Sequence, residues 1–113
     1  MFSRRLRGGT AVTRDEVLPR LQADEILVVD VRHSFEFRAG HITGAVNIPF
    51  WQGNRLVELA ESEDRELVLT CEHGPRAWLA AGLIRARTGR AVDLLHGHMS
   101  GWKRAGLPLA KTS

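Results

Sequence analysis

The chain has 113 residues, of which 43% are hydrophobic and 26% charged, with one cysteine and a formal net charge of +3. That length suits one domain with its own core, and the lone thiol excludes an internal disulfide framework and a cysteine-based zinc site. Arg4, Arg5 and Arg7 carry the whole positive excess; from residue 11 onward basic and acidic residues cancel, so the body has no net footprint for nucleic acid.

In chain order, residues 1–8 read as a basic, solvated tail, because the arginines run straight into Gly8-Gly9 with no apolar signal-peptide stretch. Residues 9–110 read as a single domain. Thr13-Arg14-Asp15-Glu16 has the spacing of a capping box, and the helix it opens carries Val17, Leu18 and Leu21, with Pro19 expected to kink or shorten it. Ile26-Leu27-Val28-Val29-Asp30-Val31 is a continuous β-branched run, the pattern of a parallel strand buried on both faces. Ser34 is placed to cap a short helix through Arg38, ended by Gly40.

A helix is expected over residues 56–62 and a buried strand over 67–70. A longer helix is expected from Pro75 to Arg87, with Leu79, Ala80, Leu83 and Ile84 at helical spacing. Pro75 fits its first position, where a missing N–H costs nothing. Ala91 to Leu95 reads as another strand and Ser100 to Ala105 as a last short helix. Strands alternating with helices predict an α/β fold with a parallel sheet. No apolar stretch approaches the ~20 residues needed to span a membrane. A single thiol suits a reducing compartment, so a cytoplasmic protein is expected.

The informative segment is Leu67-Val68-Leu69-Thr70-Cys71-Glu72-His73-Gly74-Pro75-Arg76-Ala77. A strand delivers a thiol into a tight loop, and a helix begins at once. Loop amides and the first helical N–H groups converge there, an arrangement that stabilises negative charge on sulfur. The alternative is a buried structural cysteine.

Three separated blocks resemble the rhodanese (sulfurtransferase) homology domain in its single-domain form. The first is Val29-Asp30-Val31-Arg32 with Glu36-Phe37, Gly40-His41-Ile42 and Gly44-Ala45-Val46-Asn47-Ile48-Pro49; the second is Cys71-x-x-Gly74-x-Arg76-Ala77; the third is Leu95-His96-Gly97-His98 with Trp102 and Gly106-Leu107-Pro108. The resemblance implies an open parallel sheet flanked by helices on both faces. It also implies a double displacement. Cys71 takes a sulfane sulfur from thiosulfate or a persulfide donor and passes it to a thiol, a protein thiol or cyanide, with no cofactor and no metal. The substrate loop would comprise Glu72, His73, Gly74, Pro75, Arg76 and Ala77, with Asp30, Arg32, Glu36 and His41 in support. Four residues separate Cys71 from Arg76, one fewer than in the related tyrosine-type phosphatases, which points to sulfur rather than phosphate. A second reading from another class is a persulfide carrier or redox-sensing module serving a protein partner, without turnover. Neither reading calls for nucleic acid or a membrane.

Arg76 carries two readings: orienting an anionic donor, or pairing with Asp30 or Glu36 to brace the loop. Asp30 is read as scaffolding and His41 as a hydrogen-bonded loop anchor. Glu72 places a carboxylate at the loop mouth, opposing an anionic donor, and Pro75 removes an amide from the cradle. His73 is either a solvent-facing side chain or an aid to proton transfer. His98 stands where the family commonly has a second glycine and is expected to narrow the pocket rim. His96 and His98, alternating at a strand end, would share a face, but a third metal ligand is lacking.

Overall fold

Strands β2 (Ile26–Asp30) and β5 (Glu66–Thr70) lie side by side in parallel register, with Asp30 opposite Thr70. Their side chains divide by parity, because successive strand residues point to opposite faces. Leu27, Val29 and Val31 join Leu67, Leu69 and Cys71 in one core, whereas Ile26 and Val28 join Val68 in the other. The first core is closed by α3 (Gly53–Ser62) and α4 (Pro75–Thr88) through Leu56, Ala60, Ala77, Ala80 and Ile84. The second is closed by α1 (Arg14–Gln22) and α5 (His98–Arg104) through Val17, Met99 and Trp102. Helices therefore cover both faces, and the apolar run of β2 is explained by burial of all five of its residues.

The sheet is completed by β1 (Ala11–Val12), β4 (Val46–Asn47) and β6 (Asp93–Leu95) in the order β1-β6-β5-β2-β4, and every pairing in it is parallel. A separate antiparallel pair joins β3 (His41–Ile42) to β7 (Leu109–Ala110), and α2 (Ser34–Ala39) links β2 to β3. This computed structural model describes residues 10–112. The segment expected as a basic tail, residues 1–8, lies outside them. Among the described residues, no helix is long and apolar enough to cross a membrane.

Local signals explain most boundaries. Thr13 and Glu16 form the reciprocal capping box, Thr13 Oγ1 accepting the Glu16 N–H at 3.3 Å and Glu16 Oε1 accepting the Thr13 N–H at 3.2 Å. Helix α1 runs through Pro19, which removes a single intrahelical donor. Gly89 ends α4 in the left-handed conformation at φ 76°. Other expectations shift. The cap of α2 is His33 rather than Ser34, since the Glu36 carboxylate reaches back to the His33 N–H at 3.0 Å. Helix α3 begins at Gly53, three residues early, where a Cβ would come within 2.7 Å of Leu83 on α4. Ala91 and Val92 precede the strand they were expected to start, and α5 begins at His98 rather than Ser100.

Candidate active site at the end of strand β5

Open α/β sheets place their sites at the carboxyl ends of central strands, and Cys71 is the first residue beyond β5. It continues the Leu67–Leu69 parity into the first core and is fully buried. The loop then turns back through Gly74, whose φ of 134° is closed to other residues, and Pro75 opens α4. This brings two amides onto the sulfur. Gly74 N–H donates to Cys71 Sγ at 3.0 Å and Ala77 N–H, in the first turn of α4, at 3.4 Å. The 14-residue helix points its positive end at the same atom. Anionic sulfur, as thiolate or as the terminal atom of a persulfide, is the species such a cradle favours.

The parallel register sets the next layer. With Asp30 opposite Thr70, Arg32 falls beside Glu72 two residues further on, and the two meet at 3.2 Å. Arg32 is buried and forks onto Asp30, its Nε and Nη2 donating at 2.9 and 2.8 Å, while Nη2 also donates to the Gly40 carbonyl at 2.8 Å. Burial works against its charge, but pairing with Asp30 outweighs it, so the guanidinium is held more firmly protonated than usual. Asn47 ties the same segment, donating to the carbonyls of Asp30 and Arg32 at 2.9 and 3.0 Å. Glu72 is shared with Lys103 of α5 at 2.9 Å.

Arg76 is committed to Glu36 through two bonds of 2.7 and 3.1 Å. This is the bracing arrangement of its two expected roles. The bidentate bond to Arg76 holds the Glu36 carboxyl well below its ordinary range, at about 2, assisted by the His33 N–H. The same pairing raises Arg76. Arg32, Arg76 and Lys103 thus each face a carboxylate. Glu72 does not stand alone at the mouth opposing a donor, as the sequence suggested; two cations compensate it.

His41 anchors α2 by a 2.7 Å bond between Nδ1 and the Phe37 carbonyl, with its ring stacked on Phe37 at 3.6 Å. His73 is exposed on the loop. His98 differs from expectation. Strand β6 stops at Leu95, so His96 and His98 do not alternate on it. The His98 ring lies against the loop, Nδ1 accepting the Cys71 N–H at 3.3 Å. Among the described residues, no group of three or more His, Cys, Asp or Glu side chains is placed to hold a metal ion. Lys103 and Asn47 were missed by sequence reasoning. Asn47 had a signal, a lone amide between Val46 and Ile48; Lys103 had none, because its partner lies 31 residues away.

A strand-end cysteine with two amides on its sulfur, above a buried Asp-Arg pair, defines the class of site: a cysteine-bearing loop between strand and helix. The family model for the rhodanese-like domain matches residues 13–105, and the chain belongs to that family. It is 44% identical over 102 residues to an HTH-type transcriptional regulator of Mycobacterium tuberculosis, covering 88% of this chain and 44% of that protein. A protein of Allochromatium vinosum named sulfurtransferase is 33% identical over 90 residues, covering 76% of this chain and 79% of its own length. A human single-domain sulfurtransferase superposes with a TM-score of 0.72 at 26% identity, over 83% of this chain and 95% of the other. The chain spans 44% and 50% of the lengths of two curated relatives it matches, about half.

Proposed function

We propose that the protein is a sulfurtransferase that carries sulfane sulfur on Cys71. The observation that carries this reading is the convergence of the Gly74 and Ala77 amides on Cys71 Sγ, at the mouth of a loop with four residues between Cys71 and Arg76. In the first step the Cys71 thiolate attacks the outer sulfur of thiosulfate or a persulfide. The S–S bond of the donor breaks, and its electron pair leaves on sulfite or on the donor thiolate. In the second step a thiolate or cyanide attacks the terminal sulfur, and the Cys71 thiolate is returned. Gly74 and Ala77 stabilise the charge on sulfur in both states; Asp30, Arg32, Glu36 and Arg76 hold the loop shape. His73 and Pro75 flank the cradle, and His41 steadies the α2 segment that supplies Glu36. The working compartment is a reducing one, the cytoplasm, where a lone thiol persists.

Cys71 is fully buried, so a donor reaches its sulfur only when the surrounding loop gives way. The test is intact mass after incubation with thiosulfate, and separately with a low-molecular-weight persulfide. One added sulfur, removable by cyanide and absent in Cys71→Ser, is expected. An adduct that persists in Cys71→Ser refutes the assignment, because the chain has no other cysteine.

A second reading has its own support. The 44% identical relative is named as a transcriptional regulator, and this chain matches less than half of it. A domain that loads Cys71 and signals its sulfur state to a protein partner, without turnover, fits that relationship. Stoichiometric loading without sustained sulfite release in the presence of excess cyanide or thiol selects this reading over the enzyme.

A further inference from the structure

His98 occupies a backbone conformation that glycine adopts freely and most residues avoid, with φ at 51°. Its ring touches the sulfur-bearing loop at two points. At one, Nδ1 accepts the Cys71 N–H at 3.3 Å, with the Thr70 hydroxyl 3.5 Å away. At the other, Nε2 lies 3.2 Å from where a Cβ on Gly74 would stand, so the ring packs on the bare Gly74 turn whose N–H meets Cys71 Sγ. The residues that follow extend the grip: Met99 N–H donates to the Cys71 carbonyl at 2.9 Å and Ser100 N–H to the Glu72 carbonyl at 3.1 Å. The start of α5 therefore fixes both polar groups of Cys71, and the one side chain in that set is His98.

We infer that His98 is a positioning residue of the Cys71 loop, acting as a neutral imidazole with Nδ1 as acceptor and the proton on Nε2. A backbone N–H can be accepted only by an unprotonated ring nitrogen, so the bond assigns the tautomer. Protonation places a hydrogen on Nδ1 that meets the Cys71 N–H head-on, and the grip on Cys71 is lost. Burial is the main influence against that proton, followed by His96 and His73, so the ring titrates below its ordinary 6.5. Other groups around it are the Thr70 hydroxyl, Glu72 through the Ser100 turn, and Arg14, whose Nη1 lies against Gly97 and Gly101. The grip is thus complete while the ring is neutral and is released when it protonates, at a pH below the ordinary histidine range.

The consequence for sulfur loading rests on the Cys71 persulfide reading; the bond and tautomer do not. Two measurements keep them apart. In nitrogen-15 NMR from pH 8 downward, His98 is expected as the Nε2–H tautomer until it protonates. The Cys71 and Gly74 amides should move with its midpoint, and this movement should vanish in His98→Asn, whose side-chain oxygen replaces Nδ1 as acceptor. His73→Asn and His96→Asn should raise that midpoint, each removing a like charge. The initial rate of sulfur loading from a small persulfide donor is the second measurement. On the acid side of the His98 midpoint the natural protein should lose about fivefold to tenfold more of its rate than His98→Asn does. At pH 7.5, His98→Gly should load about fivefold to tenfold more slowly, the equivalent of one neutral hydrogen bond, with most of the rate regained in His98→Asn. An Nδ1–H tautomer, a Cys71 amide indifferent to His98, or the same acid loss in the natural protein and His98→Asn overturns the inference. Absence of any sulfur loading instead overturns the persulfide reading, and the NMR measurement still decides His98.

Discussion

Replacing Glu36 by glutamine converts the bidentate acceptor of Arg76 into a neutral amide and leaves the guanidinium with one weaker contact. Arg76 holds Glu36 at about 2, against an ordinary 4.5. At about 1.4 kcal/mol per unit that gap corresponds to about 3 kcal/mol of stability. Both side chains keep about a quarter of their surface, 23% for Glu36 and 25% for Arg76, and screening reduces the figure to about 1–2 kcal/mol. The unfolded chain takes up its proton near 4.5 while the folded protein resists until about 2. The contribution is therefore whole above about pH 5.5 and disappears as pH falls through that window. Urea unfolding of the natural protein and Glu36→Gln, at intervals from pH 7 down to 2.5, isolates it from other carboxylates such as Glu63, which titrate alike in both proteins. At pH 7 the variant should be less stable by about 1–2 kcal/mol, or about 5–10 °C in Tm for a domain of this size, and most of that gap should have closed by pH 2.5. Parallel curves, or no difference at pH 7, would refute the claim that this pair braces the loop.

Glu72→Gln leaves Arg32 and Lys103 without their shared carboxylate, so the apparent affinity for thiosulfate should rise several-fold at low ionic strength and the gain should shrink with salt. Lys103→Ala should do the opposite, and an uncharged persulfide donor should respond to neither; equal responses for both donors would assign Glu72 to loop shape. Hydrolysis of aryl phosphates should be negligible, because the four residues between Cys71 and Arg76 form too small a ring for a tetrahedral phosphate. Robust turnover in a p-nitrophenyl phosphate assay would overturn the choice of sulfur chemistry.

Short-range physics was legible in the sequence. The capping box at Thr13 and Glu16, the buried runs of β2 and β5, and Pro75 at the start of α4 each rest on groups within a few residues of one another, where propensity and hydrogen bonding decide. So does the delivery of Cys71 to a helix N-terminus, since strand, turn and helix adjoin in the chain. The two-residue strands β1, β3, β4 and β7 were not legible, because a pair of residues has no period to detect and is held in place only by its neighbours.

The charge pattern of the site belongs wholly to tertiary structure. Glu72 read alone is an anion facing a donor; the register that sets Asp30 against Thr70 also sets Arg32 against Glu72, and α5 folds back to bring Lys103 to its other side. His98 read alone is a bulky replacement for a glycine at a rim; the left-handed turn after Gly97 points its ring at the Cys71 amide 27 residues away. Sequence determines which residues are charged or polar. Their partners, and hence the field around Cys71, follow from how β2, β5 and α5 dock, because Coulomb and hydrogen-bond energies depend on distances that only the packed fold defines.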